Sequence, residues 1–355
     1  MIKKSLTIKE LLEHPKVRHT VSKEDIDCIV NKLRTDEAQP KDPIYIRILS
    51  GIGAWFAAIF IIIFLFLSHL IKNGTGAIII GLILFSGAII IARASKVTFP
   101  QQLSLALAIV SNILLLYGFS EINRNFSLLT LAILQAVICV VIYPLFSNSI
   151  YRYLAPIGFV ILATAWIVKE QRSHSIHVLI AAEMLLFGIL ILQRKRQNFL
   201  APLMYSAATM LPATLLFLNL TQINLWRINF QSPLWISSII IAAGIIYLFI
   251  NLAGGLNHLR EPWLMMTIFS TILLGIFTTP GVLVAISLLV MGYNYGDRIL
   301  SGLAYLFLPN FLLLYYYALN VDLAFKSWVL AGSGLLLLAV RFIADRFLRP
   351  RKEIV

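Results

Sequence analysis

Charge is the first thing this sequence is short of. Asp, Glu, Lys and Arg make up 13% of its 355 residues, against about 25% in a soluble domain. That shortage argues against a water-solvated fold. Cysteine is scarcer still. Cys28 lies in a polar N-terminal stretch and Cys139 inside an apolar run, so the two are not placed to form a bridge, and there is no disulfide framework or Cys-x-x-Cys motif. Also missing are a Gly-rich phosphate loop, a His-Glu-x-x-His helix, a Gly-x-Ser-x-Gly elbow and a carboxylate pair at catalytic spacing. No soluble-type active site and no cofactor is implied. His174 and His177 form a weak metal signal by themselves, because two ligands do not make a site.

Net charge is +13, but its distribution argues against nucleic acid as a partner. The basic residues sit at the chain ends and in short segments between apolar runs. That is the topogenic pattern of a membrane protein, not a basic stripe interleaved with aromatics.

What the sequence has in abundance is long apolar runs. A bilayer core takes about 20 predominantly apolar residues per helix, and Ile48 to Leu70 supplies such a run with no Lys, Arg, Asp or Glu. The pattern repeats almost to Arg341. The expected fold class is all-α, a polytopic transmembrane helical bundle of about twelve spans (ten to twelve): 48–70, 76–92, 101–120, 127–146, 154–168, 177–192, 199–220, 234–252, 263–279, 280–295, 299–318 and 323–341. The two arms around Thr278-Thr279-Pro280-Gly281 are short. They read either as two spans or as a re-entrant hairpin, which is tolerated only when buried in protein. No signal peptide is expected, since the first apolar run starts late and is too long for one.

Residues 1–47 form a polar tail with ten Lys/Arg and eight Asp/Glu. Capping-box patterns at Thr7 to Glu10 and Ser22 to Asp25 predict two short helices, which we place on the cytoplasmic side. Residues 48–341 form the transmembrane domain and 342–355 a basic tail. With the N-terminus inside and twelve spans, 23 of the 29 Lys/Arg fall on the inner side and 6 on the outer. The internal loops contribute only 8 of those 23, so the termini carry most of the signal for N-in, C-in. Leu154-Ala155-Pro156-Ile157 and Leu200-Ala201-Pro202-Leu203 form a weak repeat, each read as a helix start with Pro in the first turn.

Glu183 is the sharpest single residue. It lies mid-span among Ala, Met, Leu and Phe, where a charge costs about 2.5–3.5 kcal/mol on insertion scales. It is either a proton or cation relay, or a neutral carboxylic acid making one interhelical hydrogen bond. Asn112, Gln135 and Asn310 also sit near mid-span and are candidate partners. A second cluster joins the last two spans at the expected outer face: Tyr315, Tyr316, Tyr317, Asp322 and Lys326. Asp322 and Lys326 are four apart, on one helix face. The tyrosines read as an interfacial aromatic belt, or with Asp322 and Lys326 as an anion- or headgroup-binding site. Gly296-Asp297-Arg298 reads as a tight inner turn with a topogenic charge.

Several of these segments resemble one known family. The stretch from Pro43 to Ala58 (PIYIRILSGIGAWFAA) is similar to the start of its first span. Pro280-Gly281, Leu289 to Tyr293 and Gly296-Asp297-Arg298 resemble a later segment. The tyrosine run, Asp322, Lys326-Ser327 and Gly332 resemble its C-terminal signature, with Asn320-Val321-Asp322 standing where the family has a shorter Leu-Asp approach. The family is domain of unknown function 4401. The resemblance implies a polytopic inner-membrane protein of Gram-negative bacteria, associated with other integral membrane proteins that include a family named for a Gly-Asp-Tyr motif. It implies no established activity, substrate or catalytic residue.

Three functions fit these readings, in this order. The first is a non-catalytic subunit working with other membrane proteins. The second is a proton-coupled transporter or lipid-handling protein using Glu183. The third is a membrane-embedded enzyme with an outer-face site.

Overall fold

The structure is a computed structural model. It describes residues 44–69, 71, 73–95, 97–123, 127–193, 199–222, 230–255, 257 and 261–318, with the isolated positions 324, 327, 328, 331 and 335. The N-terminal tail before residue 44, most of the expected span 323–341, and Asp322 and Lys326 lie outside the described residues.

Among the described residues the regular elements are all helices: α1 (Ile44–Leu67), α2 (Gly74–Ala94), α3 (Thr98–Ile122), α4 (Leu128–Leu145), α5 (Ser149–Lys169), α6 (Ser173–Leu192), α7 (Ala201–Gln222), α8 (Leu234–Leu252), α9 (Pro262–Phe277), α10 (Pro280–Asn294) and α11 (Arg298–Ala318). Nine of these are long and apolar enough to cross a membrane; α9 and α10 are shorter apolar helices. Large apolar side chains also stay exposed along the outer faces, among them Phe60, Ile83, Val140 and Ile276. Such a surface suits hydrocarbon rather than water.

Local chemistry sets the helix ends. Asn73 accepts from the Gly76 amide at 3.0 Å, Ser127 from Thr130 at 3.2 Å, and Asn148 from Ile150 at 2.9 Å, each satisfying a first-turn donor. Pro262 and Pro280 open α9 and α10, where a missing N–H costs nothing. The Asn148 cap corrects one expectation. The fifth span starts at Ser149 rather than 154, so Pro156 lies inside α5 and does not open it. Pro202, by contrast, does sit in the first turn of α7. The sixth helix likewise begins at Ser173 rather than 177.

Lipid offers helices no hydrophobic drive to associate, so close packing of small residues takes over. α2 and α3 form the most extensive helix pair. The buried face of α2 is Gly74, Ala77, Gly81, Phe85, Ala88 and Ala92. At one end Gly74 and Gly118 meet backbone to backbone: a Cβ built on Gly118 would fall 2.6 Å from the Gly74 carbonyl oxygen. α1 packs on α3. An edge-to-face triangle of Phe85, Phe146 and Tyr151, with centroids 5.2–6.2 Å apart, joins α2 to the α4–α5 connection.

The larger apolar core lies in α5 to α11. α10 is its centre: Pro280 to Ala285, Ser287, Leu288, Met291 and Gly292 are buried, and α10 packs against α7, α8, α9 and α11. Phe311 of α11 lies over Gly281, where any Cβ would overlap its ring. A helix of 15 residues is about 22 Å long, shorter than the hydrocarbon core, and its burial meets the condition under which such segments are tolerated.

Candidate functional site

The buried face of α6 runs Ile176, Ile180, Glu183, Phe187, Leu190 and Ile191. This is helical spacing, and it puts the carboxyl in the middle of the apolar stripe. Glu183 is 5% exposed. Its Oε1 accepts a hydrogen bond from Thr214 Oγ1 of α7 at 3.2 Å. Its Oε2 has no partner, and an unsatisfied buried oxygen is costly enough to need a reason.

A small cavity of about 110 Å³ adjoins the carboxyl, walled by Pro156 and Val160 of α5, Leu179 and Glu183 of α6, and Ser206 and Met210 of α7. The Ser206 hydroxyl donates to Leu203 O at 2.8 Å, so it is already engaged. The chamber is apolar, with Glu183 in its wall and Oε2 buried behind that surface, and it has room for a few waters or a small ligand group. Val160 and Met210 also border a second, larger groove between α5 and α7, about 590 Å³, which carries Thr214 on its wall and Lys169 at one end. Pro156, which lines the chamber, and Pro212, two residues beyond Met210, interrupt the hydrogen-bond ladders of α5 and α7, since proline has no N–H to give.

The residues read from sequence as partners of Glu183 lie elsewhere. Gln135 is buried on α4, packs over Gly158 and donates to Ala155 O at 3.0 Å; its Oε1 has no partner. Asn112 is on α3, its Oδ1 also buried without a partner. Asn310 is exposed on α11 and donates back to Leu306 O at 2.7 Å. None of the three is hydrogen-bonded to Glu183, because that carboxyl faces α5 and α7. Tyr316 and Tyr317 meet edge to face at 5.7 Å, and Tyr315 donates to Phe277 O at 2.9 Å, tying α11 to the end of α9. Asp322 and Lys326 lie outside the described residues.

Two further polar clusters brace the two ends of the bundle. At one end His177 is buried between two serine hydroxyls, Nδ1 2.8 Å from Ser237 Oγ and Nε2 2.9 Å from Ser232 Oγ. Ser232 donates to Ser173 O at 3.1 Å, and Gln222 to Ser232 O at 2.7 Å. A neutral ring with its proton on Nε2 satisfies every group: Nε2–H donates to Ser232, Ser237 donates to Nδ1. His174 is exposed, and no cluster of three or more metal-ligating side chains exists among the described residues. At the other end Asp297 does more than turn the chain. Its Oδ1 accepts from the Ile299 amide at 2.8 Å, capping α11, and its Oδ2 accepts from Tyr205 OH at 2.7 Å. Nearby Arg152 donates to Tyr143 O at 2.8 Å and stacks on Phe199 at 4.3 Å, and Arg93 reaches Leu145 O at 3.2 Å.

The sequence reading missed Thr214, Tyr205, Ser232 and Ser237. Thr214 shares the buried face of α7 with Met204, Ala208, Leu211 and Leu218, a facing that the structure shows and the apolar sequence around it does not.

These features define the class: a multi-pass, all-helical membrane protein with a buried carboxyl in its interior. The particular family follows from comparison. The model of the family described as domain of unknown function (DUF4401) matches residues 43–347, and the chain belongs to that family. No curated protein and no solved structure matches it.

Proposed function

We propose that this chain is a proton-coupled transporter of a bacterial inner membrane, with Glu183 as the group that takes up and releases the proton. One observation carries this reading: Glu183, in the middle of an apolar span and 5% exposed, lines a cavity and has one buried oxygen without a partner. Buried oxygens of Asn112 and Gln135 also lack partners, but Glu183 alone of the three is ionisable and lines this cavity. Intramembrane ionisable groups mark ion pathways and proton relays, and the proline-interrupted walls of α5 and α7 supply backbone that can rearrange around it. The accompanying topology is about twelve spans with both termini cytoplasmic, a helical tail over 1–47 and a basic tail over 342–355, supported by the bias of Lys and Arg to one side.

The test is proton flux in proteoliposomes. With a pH-sensitive dye inside and an imposed gradient, wild-type protein dissipates the gradient and Glu183→Gln does not. Equal rates for the two proteins would remove Glu183 from the mechanism. A reporter fused to the C-terminus is active on the inner side.

A second reading, a subunit of a membrane complex with other integral membrane proteins, is favoured by Asn310. This amide is exposed midway along α11, bonded only to its own helix, on a face that also presents Gly302, Tyr305 and Leu306. Polar amides join helices in membranes. Partner co-purification that Asn310→Leu abolishes supports it; unchanged co-purification removes that face from the interface.

A further inference from the structure

The groove between α5 and α7 has a form that its own residues explain. One wall is Val160, Ile161, Thr164, Ala165, Val168 and Lys169; the other is Met210, Ala213, Thr214 and Phe217. Ala165 and Ala213 are too small to fill the space between the two helices, which leaves a slot of about 590 Å³. Ile161, Ala165 and Lys169 are exposed, so the slot opens laterally. Thr214 lends its wall a hydroxyl, but that hydroxyl donates to Glu183. What the groove offers a ligand is therefore almost wholly apolar, Thr164 apart, with a single charged group, the Lys169 ammonium, where α5 ends.

From Lys169 back to Val160 the helix runs nine residues, about 14 Å. At that inner end Val160 and Met210 are shared with the Glu183 chamber. A slot this narrow between two packed helices admits a hydrocarbon chain and not a third helix. The charge at its open end decides the headgroup. Lys169, Glu170 and Arg172 leave the end of α5 with one net positive charge, and Arg172 lies 5.3 Å over the Trp166 ring. Lys169 remains to meet an anion at the level where headgroups lie.

We propose that an anionic phospholipid of the surrounding bilayer occupies this groove, its phosphate on Lys169 and one acyl chain running between α5 and α7 to Met210. The end of that chain closes the chamber and keeps water from Glu183 until the lipid leaves. The lipid site stands on the groove and Lys169; its control of the carboxyl rests on the Glu183 reading above.

The experiment uses the full chain in mild detergent, titrated with dioleoyl phosphatidylglycerol or dioleoyl phosphatidylcholine. Native mass spectrometry counts retained lipid. Dicyclohexylcarbodiimide, an apolar reagent for membrane-buried carboxyls, reports access to Glu183, with Glu183→Gln as the blank. One phosphatidylglycerol is retained with about fivefold preference, equal to about 1 kcal/mol for one basic contact. Its binding slows the labelling of Glu183 severalfold. Lys169→Glu, an exposed change that leaves the packing alone, abolishes the preference and restores fast labelling. Equal retention of both lipids, or a preference that survives Lys169→Glu, overturns the lipid site even if Glu183 labels well. Selective retention that leaves the labelling rate unchanged overturns the closure of the chamber. Failure of Glu183 to label in every condition counts against the open chamber and leaves the retention measurement to judge the lipid site by itself.

Discussion

Tyr205 and Asp297 are 92 residues apart in sequence, yet the tyrosine hydroxyl donates to Asp297 Oδ2 at 2.7 Å. The same carboxylate caps α11 through the Ile299 amide. One side chain thus fixes where α11 begins and holds that end against the start of α7. Asp297→Ala removes both functions. A lost cap costs about 1 kcal/mol and a hydrogen bond to a charged group about 1.5–3 kcal/mol, so the expected loss is about 3 kcal/mol. Tyr205→Phe costs less, since Asp297 keeps its cap. Thermal unfolding in detergent, followed by size-exclusion fluorescence, should rank Asp297→Ala below Tyr205→Phe, with the double variant close to Asp297→Ala alone. Additive losses would show that the two residues do not act together.

The α2–α3 crossing gives a prediction with an internal control. A Cβ on Gly118 would sit 2.6 Å from the Gly74 carbonyl oxygen and 2.7 Å from Ile78 Cγ1, whereas nothing lies within 4 Å of one on Gly87. Gly118→Ala should therefore push the helices apart and destabilise by about 1–3 kcal/mol, the range for overpacking. Gly87→Ala on α2 should be neutral or slightly stabilising, because alanine is the better helix former. The same unfolding assay reads both. A harmless Gly118→Ala would mean the crossing is looser than described.

How far the sequence reveals such features depends on whether they are local. Helix type and approximate extent follow from runs of apolar residues, and so does the mid-span position of Glu183 among Ala, Met, Leu and Phe. Caps move the ends: Asn148 starts α5 five residues earlier than hydropathy alone does, because hydropathy does not register a capping side chain. Facing is harder. Gln135 and Asn310 look alike in sequence, each an amide in the middle of an apolar run, yet Gln135 is 1% exposed and Asn310 is on the surface. Thr214 is unremarkable in sequence and becomes the partner of Glu183 only once α6 and α7 are packed. In an all-apolar helix the stripe that faces protein and the stripe that faces lipid carry the same residues, so periodicity cannot tell them apart.

His177 poses the metal question directly. Both ring nitrogens are engaged by serine hydroxyls, and His174 is exposed. Zinc added to the purified protein should leave its melting temperature unchanged. His177→Phe should lower it, since Ser237 at 0% exposure loses its partner, a penalty of about 1–3 kcal/mol. A zinc-dependent rise that His177→Phe abolishes would overturn the structural role.

The last prediction separates function from stability at Glu183. Glu183→Gln keeps a carbonyl oxygen for the Thr214 hydroxyl and should fold normally. Glu183→Leu combined with Thr214→Val removes both members of the pair and leaves apolar side chains of similar volume. Replacing a buried polar pair in this way is often neutral or stabilising, because no orphaned group remains; here it also removes the unpartnered Oε2. The double variant should therefore melt at or above the wild-type temperature while its proton flux in liposomes falls to background. Such a split is expected of a site kept for activity at the expense of stability. A double variant that fails to fold, while Glu183→Gln carries wild-type flux, would mean that the carboxyl holds α6 to α7 and does nothing else.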